Sequence, residues 1–135
     1  MVLADAGCGV DGKFREGIAS LGLRYAAGVQ SSITVWEPGK KPLPHKPYSE
    51  TGRPPKLLRR DSDCRLVSAG RLAQSLPADA WKSVMWREGA RLALRSRFAA
   101  VRVRPAHRDY WRAEPHPEEW LLIEWPEAET EPAKY

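Results

Sequence analysis

Met1-Val2-Leu3-Ala4-Asp5-Ala6-Gly7-Cys8-Gly9-Val10-Asp11-Gly12 opens on an apolar run, bends at glycines behind an aspartate, and runs into a helical pattern. Phe14, Ile18 and Leu21 follow at i, i+4, i+7 spacing, which predicts a helix over residues 11–21 with Asp11 as N-cap and Gly22 as its stop. Residues 23–30, with Tyr25 and Val29, read as a strand. Residues 31–36 continue extended, with Ile33 and Val35 on one face. The order strand, turn, helix, strand predicts a parallel pair and an α/β fold class.

Within that unit Asp5 carries the chemistry. A carboxylate at the C-terminal end of a strand, beside glycines, presents oxygens of the kind hard divalent cations take. The structural alternative is that Asp5 only closes a turn through local hydrogen bonds. Gly7-Cys8-Gly9-Val10-Asp11-Gly12 also matches the dinucleotide pattern GxGxxG. That chemistry needs an acid at the end of the next strand to hold a ribose, and Val29-Gln30-Ser31 supplies none. The glycines therefore read as a turn.

Beyond Pro38 the character changes. Residues 38–56 hold six prolines without periodicity and read as a surface loop or extended arm. A short helix is predicted over 68–75, where Leu72 and Ala73 share a face and Leu76-Pro77 ends it. Strands are predicted over 81–88, 91–104 and 120–125. In the second of these, Arg95, Arg97, Arg102 and Arg104 surround Phe98-Ala99-Ala100-Val101, a pattern with one basic edge or face. Trp81, Trp86, Trp111, Trp120 and Trp125 are candidates to stack on unpaired bases, but most are expected in the core. His45, His107 and His116 lack metal-ligand spacing with either cysteine and are expected at the surface.

At 135 residues the chain suits one modest domain. It contains no apolar run of membrane-spanning length, and its first residues lack the features of a signal peptide, so a cytoplasmic protein without membrane partners is expected. Cys8 and Cys64 then read as free thiols. The net charge of +5 is unevenly spread. Residues 1–38 carry −1, residues 39–112 carry eighteen Lys/Arg against six Asp/Glu for +12, and residues 113–135 carry −6. A block so basic is a candidate polyanion surface, with a solvated basic face as the alternative. Thr51-Gly52-Arg53-Pro54-Pro55-Lys56, followed by Arg59-Arg60, partly matches an AT-hook core, an arm that lays an arginine in the minor groove.

Val2-Leu3-Ala4-Asp5-Ala6-Gly7-Cys8-Gly9, Phe14-Arg15-Glu16-Gly17, Leu21-Gly22-Leu23-Arg24-Tyr25 and Val29-Gln30 together resemble the region around the second catalytic aspartate of bacterial insertion-sequence DDE transposases. The similarity is to the branch with a β-rich insertion between the second and third carboxylates. Cys8 stands where that family usually has tyrosine. Gly52-Arg53-Pro54-Pro55-Lys56, Leu76-Pro77-Ala78, Trp86-Arg87-Glu88-Gly89, the run from Arg95 to Arg104, and Glu119 to Pro126 look like the insertion, so the likeness covers nearly the whole chain.

The resemblance implies the β-α-β edge of an RNase H-like core over residues 1–37 and a mainly β insertion over 38–135, with a Pro-rich basic arm over 38–60. It implies Mg²⁺-dependent cleavage and transfer of double-stranded DNA at transposon ends by an enzyme dimeric on DNA and associated with the nucleoid. Asp5 would be the catalytic metal ligand, and Arg53, Lys56, Arg59, Arg60, Arg95, Arg97, Arg102 and Arg104 the DNA contacts. The other two carboxylates would lie outside the chain, making it a fragment inactive by itself. Glu124 sits too early, in an apolar strand-like run, to be the third. The rival readings are a non-catalytic basic DNA-binding module and, behind it, a small nucleotide-binding α/β protein.

Overall fold

The computed structural model describes residues 1–60, 65–88 and 93–135, the side chains of 86–88 and 93–94 excepted. The fold is mixed α/β, with two sheets among the described residues. Strand β1 (Val2–Ala4) leads through Asp5 into the one-turn helix α1 (Ala6–Gly9) and then α2 (Gly12–Ser20). Strand β2 (Tyr25–Ala27) lies parallel to β1, Leu3 opposite Ala26. The predicted unit and its parallel pairing are present. Asp11 caps α2, accepting from the Lys13 amide at 2.9 Å. Gly22 takes a positive φ of 69° just after the helix, a conformation glycine adopts without a Cβ clash. Of the predicted apolar stripe, Ile18 is buried but Leu21 is exposed.

Strand β3 (Thr34–Trp36) leaves that sheet and joins a second, larger one. It pairs antiparallel with β4 (Val67–Ser68), which runs directly into α3 (Ala69–Ser75), capped by the Ser68 hydroxyl on the Arg71 amide. β5 (Lys82–Glu88), β6 (Ala93–Pro105) and β7 (Glu119–Pro126) complete it. The long β6 is its spine. β7 pairs along one edge, and β5 and then β3 share the other. Val35, Val103, Leu121 and Ile123 of the sheet bury against Ala69, Leu72 and Ala73 of α3. Between β3 and β4 the proline-rich arm has no regular element apart from a bridge joining Leu43 to Arg59.

Three expectations need correction. The four arginines of β6 make neither a basic edge nor one basic face, because both edges are paired and side chains alternate. Arg95 and Arg97 share parity with Ala99 and Val103, whereas Arg102 and Arg104 fall on the opposite face with Phe98 and Ala100. Of the five tryptophans expected mostly in the core, Trp81 packs against it half-buried and Trp125 is half-buried, but none of the described ones is fully buried. Trp36 is fully buried, but Trp111 and Trp120 are 62% and 67% exposed. His116 is buried rather than superficial. Cys64 and the side chain of Trp86 lie outside the described residues.

Candidate functional site

Asp5 directly follows β1 and takes an extended backbone (φ −77°, ψ 178°), so its side chain folds over the first turn of α1. Its Oδ1 accepts from the Gly7 and Cys8 amides, both at 3.1 Å. The Gly9 amide donates to the Asp5 carbonyl at 2.9 Å. The Cys8 amide first, then the Cys8 thiol, and the Gly7 amide outweigh desolvation and hold the carboxyl below its usual range. Asp5 is thus an exposed, ionised carboxylate in a fixed orientation, with Oδ2 outside the two amide bonds. It suits one oxygen ligand of a hard cation. Among the described residues no three His, Cys, Asp or Glu side chains gather as a complete metal cage.

Glycine makes this turn possible. A Cβ on Gly9 would stand 1.9 Å from the Gly28 carbonyl oxygen, so the end of α1 lies directly on the end of β2. Gly28 returns the contact, its amide donating to the Ala4 carbonyl at 3.0 Å. Of the three glycines in the GxGxxG-like spacing, Gly9 therefore serves backbone packing. β2 ends at Ala27 and Gly28 follows it, with no acid there to hold a ribose.

The sequence reading missed Arg15. It is buried on α2, where its Nη1 donates to the Gly9 carbonyl and its Nε to Glu119 Oε2 at 2.9 Å. Tyr25 packs its phenol against the same pair and titrates above its ordinary value, chiefly through burial and then through the Glu119 charge. One residue along, Glu16 meets Arg112 at 3.0 Å and the buried His116 at 3.3 Å. His116 Nε2 faces the His107 carbonyl at 3.0 Å. The available signal was Arg15 itself, a charge three residues from Ile18 and hence on the side of α2 that turns inward.

The candidate DNA contacts are dispersed. Arg53 and Lys56 are exposed on the arm, and Arg95 is exposed on β6. Arg59 is tied to the Pro44 carbonyl at 2.9 Å. Arg60 bonds the buried Asp109, whose other oxygen accepts from the Trp36 indole at 2.8 Å. Arg97 lies over Trp81 and Trp125, its Cζ 5.7 and 4.6 Å from the ring centroids. Arg102 lies over Trp120, and Arg104 reaches the His116 carbonyl and Glu118. Five of the eight are therefore engaged within the fold. Glu124 is buried between Ser96 Oγ at 2.9 Å and Lys134 Nζ at 3.1 Å, the setting of a structural ion pair. Cys8 is a free, exposed thiol. No described helix is long and apolar enough to cross a membrane.

No curated protein and no solved structure matches the chain. A protein family described as DDE superfamily endonuclease matches it over residues 1–93.

Proposed function

Since the chain belongs to the DDE superfamily endonucleases, we propose that it is part of an insertion-sequence transposase in which Asp5 is one of the carboxylates that hold Mg²⁺. The observation that carries this reading is the Asp5 carboxylate itself: exposed at a strand end, ionised, and oriented by two backbone amides. Bound divalent cations would activate the attacking oxygen and stabilise the leaving one in an in-line displacement at a DNA phosphate. The chain's own contribution is to hold Asp5 ionised and to keep its carboxylate from rotating.

In this reading residues 1–37 are the edge of an RNase H-like core and residues 38–135 its β insertion. Exposed apolar groups support the view that more protein covers this edge. Leu3, Trp120 and Leu122 are 72%, 67% and 57% exposed and line a groove of about 1120 Å³ between the two sheets. A two-stranded sheet such as β1–β2 is also marginal without further cover. DNA affinity would come from the basic stretch, led by Arg53, Lys56 and Arg95, whose side chains are exposed.

The test is made on the complete transposase. Asp5→Asn keeps the size and capping capacity of the side chain but removes the charge, so strand cleavage is expected to vanish while binding to transposon ends persists. Replacing Arg53 and Lys56 by Ala should weaken end binding and leave metal binding intact. Cleavage at near wild-type rates by Asp5→Asn would make Asp5 a turn residue. A second reading, a non-catalytic DNA-binding module, rests on the +12 stretch of residues 39–112. It expects DNA binding by this chain but no divalent-cation binding that depends on Asp5.

A further inference from the structure

We propose that Arg15 is a positioning residue that sets the Asp5 turn from β7, through the Gly9 carbonyl on one side and the Glu119 carboxylate on the other. The proposal rests on the metal-ligand reading of Asp5 only for its consequence; the mechanical link stands on the contacts themselves. The Asp5 turn is short, and three amides define it: Gly7 and Cys8 on the side chain of Asp5, Gly9 on its backbone carbonyl. Its underside rests on Gly28, so closely that Gly9 has no room for a side chain. Its far end, the Gly9 carbonyl, is fixed by the Arg15 guanidinium.

The same guanidinium reaches Glu119, the first residue of β7, which lies opposite Val103 of β6. A planar fork with several donors can hold a carbonyl and a carboxylate at once, and an ammonium cannot reproduce that geometry. The ion pair is well shielded, with side-chain exposures of 10% and 27%. Charge-assisted bonds in such a setting outweigh ordinary surface pairs. A shift of β7 relative to α2 would therefore pull on the Gly9 carbonyl. The turn that aims Asp5 would report the state of the β6–β7 sheet, where Arg95, Arg97, Arg102 and Arg104 reside. Glu16 with Arg112 and His116 ties the next residue of α2 to the segment before β7, so two adjacent helix positions grip the start of β7 and the chain leading into it.

The experiment uses this chain and reads amide hydrogen exchange by NMR. Glu119→Gln, which loses one charged hydrogen bond, and Arg15→Gln, which loses two, should speed exchange at Gly7, Cys8 and Gly9 by about tenfold or more, and leave Leu72 and Ile123 unchanged. Exchanging the pair, Arg15→Glu with Glu119→Arg, remakes the ion pair but gives Gly9 no donor, so protection of the turn should stay low. Unchanged protection at the three amides in both single variants would overturn the proposal. So would a rise shared equally by Leu72 and Ile123, which marks general destabilisation. Should Arg15→Gln fail to fold, Glu119→Gln at the more exposed partner decides the matter. Tyr25 supplies an independent readout, since its phenol should titrate lower in Glu119→Gln. Broadening of the Gly7 and Cys8 signals by Mn²⁺ is measured in parallel. A turn that loosens as expected but shows no such broadening in the unmodified chain supports the link and counts against Asp5 as a metal ligand.

Discussion

At the residue scale, two glycines of the same helical region make opposite demands. A methyl group on Gly9 would meet the Gly28 carbonyl oxygen at 1.9 Å, whereas one on Gly17 would meet nothing within 4 Å. Gly9→Ala is therefore expected to destabilise the chain by about 2–4 kcal/mol, because backbone has to move. Gly17→Ala, inside α2, should stabilise it by roughly 0.5–1 kcal/mol. Urea unfolding with unchanged slope checks both. Tyr25 gives a pH dependence of definite sign. Its folded phenol titrates above the ordinary 10.0, so its contribution is complete below that value and is lost as pH rises through the raised one. Tyr25→Phe should remove that part of the alkaline decline and leave the part due to Tyr135, which burial also raises. The caps Asp5, Asp11 and Ser68 were legible or nearly so, since a cap and its amide lie within three residues. Arg15 and Glu119 are 104 positions apart, and nothing local pairs them.

At the scale of elements, β6 shows what alternation can and cannot say. Apolar and basic residues along it predicted a strand of nearly the observed span. Counting charges without parity then merged two faces into one, since the step from Arg97 to Arg102 is odd. The same parity makes a sharp expectation for β7. Ile123 is fully buried opposite Ala99, and Leu122 beside it is 57% exposed. Ile123→Ala should cost about 3 kcal/mol and Leu122→Ala less than about 1 kcal/mol, measured in this chain by chemical denaturation. A reversed order, with Leu122→Ala the costlier change, would mean the register is shifted by one residue. The destination of β3 was not legible. Periodicity marks which face of a strand is buried but not which strand it pairs with, and β3 follows β2 closely yet joins the other sheet.

For the whole molecule, the concentration of positive charge in residues 39–112 predicts DNA affinity that falls steeply with salt. Each phosphate contact contributes a slope of roughly −0.9 in log affinity against log salt, so replacing Arg53 and Lys56 by Ala should flatten the slope by about 2. Fluorescence anisotropy over a salt series measures it, and a slope unchanged by the double replacement would remove the arm from the DNA contacts. The Asp109 knot has a separate consequence for the arm. Trp36 at its beginning and Arg60 at its end are both held by that one buried carboxylate, so the arm is a loop whose two feet are pinned together. Such a loop tolerates change in length, because each doubling adds only about 0.6 kcal/mol of closure entropy. It also tolerates interruption. Lys41, Lys46 and Arg53 each precede proline and resist trypsin, which leaves the exposed Lys40 and Lys56 as points of attack ahead of the held Arg59 and Arg60. A single nick at either should yield two peptides that elute together and separate only in denaturant, whereas in Asp109→Asn they should drift apart far more readily.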